Sequence, residues 1–458
     1  MTFPSVLKIH ATYQEPDYDC PWQARTPGTG TGSGIVLPDG LILTAAHVVA
    51  NATFLQVQKT SNSRRQVVHV EAICHDADLA LLRVEDAAFL KDVPTLSLGE
   101  LPSLRDKVLV CGYPIGGNEI SITEGVVSRV EVQEYSHSQR SLLAVTVDAA
   151  INSGNSGGPV IQDNQIIGVA FQSLEDAENI GEVIPMPVIK HFLEAHRRGV
   201  EPTIPGLGIS VQYLENAMLR KHIGLPENKT GVLIAGVHFG NSGWGVLREG
   251  DVLLEINGVV LDNDGTVVLE ERYRTSFLGL SHKQFVGDKL PLRVWREGKE
   301  QTLELTLQPL RYLVARSRYD VLPSYYIYGG LVFQPLSRDY LCTWEYWQQN
   351  APQDLLDLYF QGYPTPECRQ VIVLSHILAD EINVGYEGME HSMITHCNGR
   401  RLGDLRELID AIESAPKLLE LTTRQNLRIV MDKAAADKAH TRLLRRYRIH
   451  KDRSDDLA

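Results

Sequence analysis

Gly154-Asn155-Ser156-Gly157-Gly158-Pro159 sets one serine among glycines, a combination suited to acyl transfer. An unactivated hydroxyl is a poor nucleophile. A serine used in this way needs a base beside it and N–H groups aimed at the oxyanion that forms. Flanking glycines permit the tight turn that exposes the hydroxyl and turns those N–H groups inward. The candidate base is His47, in Leu43-Thr44-Ala45-Ala46-His47-Val48-Val49, at a strand end followed by a short apolar turn. The candidate orienting acid is Asp78, in His75-Asp76-Ala77-Asp78-Leu79-Ala80-Leu81-Leu82. A carboxylate buried there would fix the imidazole tautomer and stabilise the imidazolium. Asp76 is the alternative acid; Asp78 is preferred because it directly precedes the apolar strand. Taken singly, each residue has an ordinary structural reading: a glycine turn, a core histidine, a strand cap. The chain order His, Asp, Ser along one all-β stretch makes the catalytic reading the better one.

That stretch, residues 5–184, reads as short strands broken by turns. Apolar runs fall at 34–37, 41–43, 67–73, 79–84, 107–111, 125–132, 142–147 and 165–171. Many short strands without helical alternation predict a β-barrel or sandwich. Residues 188–198 (VIKHFLEAHRR) have helical spacing with basic residues in the last turn and Gly199 behind them, which predicts a closing helix. Residues 199–206 read as a linker. A strand ending in Asn257-Gly258 follows, with an echo in Ile394-Thr395-His396-Cys397-Asn398-Gly399 before a helical pattern at 402–412. Asn-Gly is a hairpin turn signal. The two copies predict an internal repeat of one domain type, with an insertion in the second.

Composition narrows the class. The 458 residues carry 44 Lys and Arg against 57 Asp and Glu, a net charge of −13, which argues against a nucleic-acid partner or an anionic membrane. No stretch approaches the roughly 20 apolar residues of a membrane span. The first ten residues have neither a basic n-region nor an apolar h-region, which predicts a cytoplasmic protein, or a nuclear or organellar one in a eukaryote. Six cysteines are scattered without CxxC or zinc spacing, so no metal and no disulfide framework is expected.

The motifs resemble those of the Deg/HtrA family, trypsin-like serine proteases carrying C-terminal PDZ domains. The resemblance rests on Gly32-Ser33-Gly34-Ile35-Val36, the stretch around His47, Asp78-Leu79-Ala80-Leu81-Leu82, Gly125-Val126-Val127-Ser128, and the run from Asp148 through Ser156 to Pro159. Asn179-Ile180-Gly181-Glu182-Val183-Ile184-Pro185 and Pro323-Ser324-Tyr325-Tyr326-Ile327 resemble the branch of plant nuclear and organellar Deg proteases. The resemblance implies a mainly β chain: a double β-barrel protease domain (1–199) followed by two α+β PDZ domains, at 205–312 and at 313–458, the second with an insertion and a basic tail. His47 and Asp78 would stand on the first barrel and Ser156 on the second. The N–H groups of Gly154, Asn155 and Ser156 would form the oxyanion hole. Ile151 and the strand carrying Val169, Ala170, Phe171 and Ser173 would line the specificity pocket. Ile151 is apolar and no acid is evident at the floor, so a small or aliphatic residue before the scissile bond is expected.

PDZ domains take extended peptides by strand addition and hold a terminal carboxylate in a nest of backbone amides. Leu207, Gly208 and Ile209 match that loop in the first copy. The corresponding Gly330-Leu331-Val332-Phe333 lacks the middle glycine, which counts against peptide capture by the second. No cofactor is implied. The partners implied are unfolded proteins and peptides as substrates, and copies of the chain in a trimer-based oligomer, a hexamer. The alternative function is an inactive holdase or PDZ scaffold. Residues 340–368 hold Trp344, Trp347 and other aromatics with four acids and no Lys or Arg, and read equally as a lid or a subunit contact. The tail 433–453 has eight Lys and Arg against two Asp and reads as a solvated surface.

Overall fold

Several strands of the N-terminal part are apolar at consecutive positions because both of their faces are buried. The computed structural model describes residues 3–60, 62–114, 117, 119–149, 151, 154–173 and 180–458. Strands β1 (Val6–Tyr13), β2 (Gly28–Val36), β3 (Ile42–Thr44), β4 (Ala52–Lys59), β5 (Arg65–Cys74) and β6 (Leu79–Val84) close a barrel in the order β1-β2-β3-β6-β5-β4. Along β6, Ala80 and Leu82 join one apolar cluster with Leu7, Ile9 and Val57. Leu79 and Leu81 point to the opposite face and join a second cluster, with Val110, Val127, Val145 and Val169.

Those four valines belong to the second barrel. Its strands are β7 (Ser97–Leu98), β8 (Lys107–Gly112), β9 (Ser121–Glu134), β10 (Ser141–Val147), β11 (Pro159–Gln162), β12 (Gln165–Ser173) and β13 (Gly181–Pro185). The order β11-β8-β9-β10-β13-β12 closes through β11–β12 pairing, and β7 adds in parallel to β12. One apolar cluster shared between the two barrels sets them face to face. Helix α1 (Ala46–Val49) is a single turn after β3, and α2 (Met186–Arg198) ends at Gly199, whose φ of 66° continues no helix. The expected closing helix starts two residues earlier than the apolar spacing suggested, because Pro187 suits its first turn.

The chain divides into two compact units. The first comprises residues 1–14, 27–237 and 241–310; the second comprises 15–26, 238–240 and 311–458. Within the first, five strands run in the order Ile209–Tyr213, Val232–Val237, Val252–Ile256, Lys289–Arg296, Lys299–Thr306. The Asn257-Gly258 turn has both residues at positive φ, 49° and 82°, and pairs Ile256 with Val259 as a two-residue hairpin. The hairpin Thr266–Leu269/Tyr273–Ser276 packs on the second barrel: Tyr273 Oη donates to Pro102 O at 2.6 Å.

The second unit has its own sheet, in the order Tyr326–Tyr328, Leu331–Pro335, Ile372–Ile377, Ser392–Cys397, Leu418–Thr423, Arg428–Asp432, and the Asn398-Gly399 turn repeats the first. The anticipated loop at Gly330 is here the turn of a hairpin, with φ of 56° at Gly329 and 85° at Gly330. Tyr326 pairs with Phe333 on one edge of the strand and Ile377 pairs with Leu331 on the other. Within residues 340–368, Tyr340, Leu341, Leu355, Leu356 and Tyr359 are buried against Val371 and Val373, as a lid requires, while Tyr346 and Phe360 are exposed. The basic tail forms the helix Lys433–Arg446, which buries Ala436, Ala439 and Leu443, and two of its arginines, Arg442 and Arg446, reach Asp380. Residues 15–26, between β1 and β2, fold with this unit; Tyr18 is buried in the lid cluster and Trp22 packs edge-on to Tyr325. Sequence pattern did not signal that detour. Among the described residues no helix is long and apolar enough to cross a membrane.

The stretch read as a linker is anchored. Arg140, 7% exposed, donates to Asp76 Oδ2 at 3.0 Å and to the carbonyls of Ile204 and Pro205, while Ile204 N–H also reaches Asp76. Removing one partner of such a pair strands the other. Arg140→Ala is therefore expected to destabilise the first unit by about 3 kcal/mol, read as a lower urea midpoint by tryptophan fluorescence and circular dichroism.

Candidate active site

His47 sits in α1, the one-turn helix that follows β3, and Asp78 stands immediately before β6, the strand paired to β3. Strand pairing therefore brings the two together across 31 residues of chain. Asp78, 1% exposed, takes φ of 53°, and its carboxylate faces the turn. Its Oδ1 accepts the His47 backbone N–H at 2.8 Å and its Oδ2 meets Nδ1 of the ring at 2.7 Å. The Asp78 carbonyl takes the Ala46 N–H as well. A proton on Nδ1 leaves the Nε2 lone pair facing outward, the tautomer that a base requires. The His47 side chain is 32% exposed, so Nε2 has room for a reactant.

Electrostatics follow from that burial. Desolvation opposes a charge on His47, but the Asp78 charge and hydrogen bond outweigh it, and the imidazole pKa is held above its ordinary 6.5. Desolvation likewise works against the Asp78 carboxylate; the charges of His47 and His137 and the hydrogen bonds from His47 prevail and hold its pKa below the usual range. His137 is a residue that sequence reasoning missed. It is 6% exposed, its ring centroid lies 6.2 Å from that of His47, and its Nε2 is 3.0 Å from Nδ1 of His75. Asp76, the alternative acid, is engaged by Arg140 and does not serve the imidazole.

Ser156 lies in the turn before β11. Gly154 and Gly157 have φ of 100° and 81°. A Cβ on Gly157 would stand 2.2 Å from Thr44 Oγ1 and 2.3 Å from Ser33 O, so only glycine lets the turn press against residues 44 and 45, two or three positions before His47. Gly157 N–H donates to Ala170 O, and Ala170 N–H to Gly158 O. These bonds tie the turn to β12. Among the described residues, no backbone carbonyl accepts the N–H groups of Gly154, Asn155 or Ser156, the expected oxyanion donors. Ser156 Oγ has its hydrogen bond to Phe171 O at 3.4 Å.

Of the expected pocket residues, Ile151 is 6% exposed and Val169, Ala170 and Phe171 are buried. A Cβ on Gly181 would strike Ile151 Cγ1 at 2.4 Å, so β13 closes against Ile151. Phe171 packs on Tyr135 with the rings tilted by 39° and their centroids 4.5 Å apart. Ser173 ends β12; its side chain, with Ala150, Asn152, Ser153 and Asn179 of the quoted motifs, lies outside the described residues. Glu182, next to Gly181, was quoted only as part of a motif, yet it is 1% exposed and bonded to Gln172. Burial raises its pKa. Leu207, Gly208 and Ile209 are not part of this constellation. Gly208 takes φ of 66° against Asn241, and Ile209 opens a strand that among the described residues pairs only with Val232–Val237. Among the described residues no group of three His, Cys, Asp or Glu side chains is arranged to hold a metal ion.

Residues 32–169 match the family described as the trypsin-like peptidase domain, and residues 314–456 match the PDZ domain family. The chain is 36% identical over 455 residues to putative protease Do-like 3, mitochondrial, of Arabidopsis thaliana, covering 99% of this chain and 80% of that protein. It is 38% identical over 465 residues to protease Do-like 2, chloroplastic, of the same plant, covering 99% and 75%. Among solved structures, the HtrA-type protease AlgW with tripeptide superposes with a TM-score of 0.53 at 25% identity, covering 68% of this chain and 95% of that one.

Because Asp78 raises the imidazole pKa, peptide hydrolysis should fall with acid through a midpoint above 6.5. Asp78→Asn removes the charge that favours imidazolium, so the midpoint should move to lower pH while kcat drops by about 10⁴. A pH series of kcat/KM on both proteins checks the sign and the size.

Proposed function

Because the chain belongs to the Deg/HtrA family of trypsin-like serine proteases carrying PDZ domains, we propose that it is an ATP-independent serine endopeptidase that degrades unfolded or damaged proteins. The observation that carries this reading is the His47–Asp78 pair, with Nδ1 engaged at 2.7 Å and Nε2 left for the nucleophile. Ser156 Oγ attacks the scissile carbonyl while His47 Nε2 takes its proton, and buried Asp78 stabilises the imidazolium. The N–H groups of Gly154, Asn155 and Ser156 receive the oxyanion. His47 returns the proton to the leaving amine, and water then releases the acyl group by the same path. The apolar Ile151 fits a small or aliphatic residue before the scissile bond.

Peptide capture is assigned to the 205–312 segment, read as a PDZ domain. Leu207 O and Gly206 O are taken by Gly243 N–H and Ser242 Oγ, so the carbonyls of this loop turn inward and its amides face a ligand. The strand that follows keeps one edge for strand addition. In the second copy, strand Leu331–Pro335 is paired on both edges, which supports poor peptide binding there. The same reading takes the active particle as a trimer-based oligomer, a hexamer, with exposed Tyr346 and Phe360 of the lid as contact candidates. The relatives carry mitochondrial or chloroplastic names, in keeping with an organellar compartment. The second reading, a protease fold kept inactive as a holdase, draws on the Ser156 hydroxyl, which is bonded to Phe171 O rather than to His47.

A phosphonofluoridate probe separates the two. Labelling of the wild type, none on Ser156→Ala, and casein hydrolysis abolished by Ser156→Ala and by His47→Ala are expected of the protease; an unlabelled wild type leaves the holdase. For peptide capture, full-length Ser156→Ala protein should bind peptides with apolar C-terminal residues, and amidating the terminus should weaken binding by about tenfold. Isothermal titration measures both forms, and equal affinity would contradict the amide nest.

A further inference from the structure

An oxyanion hole carried on a glycine-rich turn has a weakness built into it. Glycine adopts positive and negative φ with similar ease, so the peptide planes about Gly154 are not held by their own torsions. The carbonyl end of the side chain between the donors gives no restraint: Asn155 is 1% exposed, and its Oδ1 has no hydrogen-bond partner among the described residues. The restraint comes from the other barrel. Ser33, 0% exposed on β2, donates from Oγ to Gly154 O at 2.7 Å, and its backbone N–H donates to Ser156 O at 2.9 Å. The carbonyls of Gly154 and Ser156 are thus tied to a single residue, and Asn155 O accepts the Gly158 N–H within the turn.

Ser33 is itself locked. Its Oγ accepts the Tyr113 N–H at 2.8 Å, which fixes the direction of its own donated proton, and its carbonyl accepts Thr44 Oγ1 at 2.7 Å. The space is cleared by glycine: a Cβ on Gly112 would stand 2.9 Å from Ser33 Oγ and 2.7 Å from Asn155 Cα. In a trans peptide the C=O and the following N–H point in opposite directions. Holding Gly154 O toward Ser33 Oγ therefore sets the direction of the Asn155 N–H, while the bond to Ser156 O holds the plane of the Gly157 N–H, which donates to Ala170 O.

We propose that Ser33 is a positioning residue for the oxyanion hole, acting through its hydroxyl on the Gly154 carbonyl. The inference rests on the protease reading above. Its effect belongs to the tetrahedral state, where the oxyanion exists, and not to substrate binding or to the base.

The test uses full-length protein with Ser33→Ala, and with Ser33→Cys, which keeps the volume but offers only a weak donor, should the alanine variant fail to fold. Circular dichroism establishes folding. The expected result is a kcat lowered by about 10- to 100-fold with KM changed by less than about threefold. A peptide boronate, whose tetrahedral adduct fills the hole, should lose affinity by the same factor as kcat/KM, while the midpoint of the pH profile stays in place. A folded variant with kcat within about threefold of wild type, or one whose loss appears in KM or as a shifted pH midpoint, overturns the inference. Ser156→Ala run in parallel keeps the two claims apart. An inactive Ser156→Ala beside a fully active Ser33→Ala removes only the role of Ser33, whereas an active Ser156→Ala removes the protease reading beneath it.

Discussion

A hydroxyl on one barrel and an imidazole on another can react together only if the barrels are held in register to within a fraction of an ångström. Here one apolar cluster spans both barrels, with Ile35, Leu43, Leu79 and Leu81 from the first and Val110, Val145 and Val169 from the second. Apolar burial is strong but non-directional; by itself it sets a separation and leaves sliding possible. Direction comes from hydrogen bonds at the seam, where Ser33 N–H meets Ser156 O and Ser33 Oγ meets Gly154 O. The glycines at 112 and 157 let the two backbones approach that closely. The placing of Ser156 relative to His47 depends on this seam more than on either barrel alone.

The same economy appears in the pair of aspartates. A buried carboxylate is costly unless it is hydrogen-bonded. Asp78 meets that condition with the N–H and Nδ1 of His47, and the charge it retains raises the basicity of the ring. Asp76, two residues earlier, meets it with Arg140 and the Ile204 N–H. One short loop thus orients the base with one acid and fastens the following segment with the other. The turn that supplies Arg140 also carries His137, so the loop at 134–141 touches both tasks.

The two repeats after the barrels diverge at their edges. Both contain the Asn-Gly hairpin and both build a twisted antiparallel sheet. In the first, strand Ile209–Tyr213 stands at the end of its sheet; in the second, Tyr326–Tyr328 folds back over Leu331–Pro335 through Gly329 and Gly330. A sheet edge that is already paired has no backbone donors left for a guest strand. Repeats that look alike in sequence therefore differ in which strand stands at the end of the sheet.

Much of this was legible along the chain. The apolar run at 79–84 and its neighbours announced strands, because burial on two faces forces consecutive apolar residues. Gly199 stopped a helix and Asn-Gly made a hairpin, since both effects act within a few residues. His47, Asp78 and Ser156 could be read as candidates because the chemistry proposed for them demands a particular local setting. Other features were not legible: Ser33 against the carbonyls of Gly154 and Ser156, Arg140 on Asp76, His137 beside His47, and residues 15–26 folding with the second unit. Each depends on partners that lie distant in sequence, and a serine, arginine or tyrosine carries no local mark of the backbone carbonyl or cluster it will meet. Residue type and spacing determined the strands and the turns of this protein and marked out its candidate reacting groups. Which polar atoms hold those groups in place was decided by the tertiary structure, because hydrogen bonds become directional restraints only after the barrels have closed and excluded water.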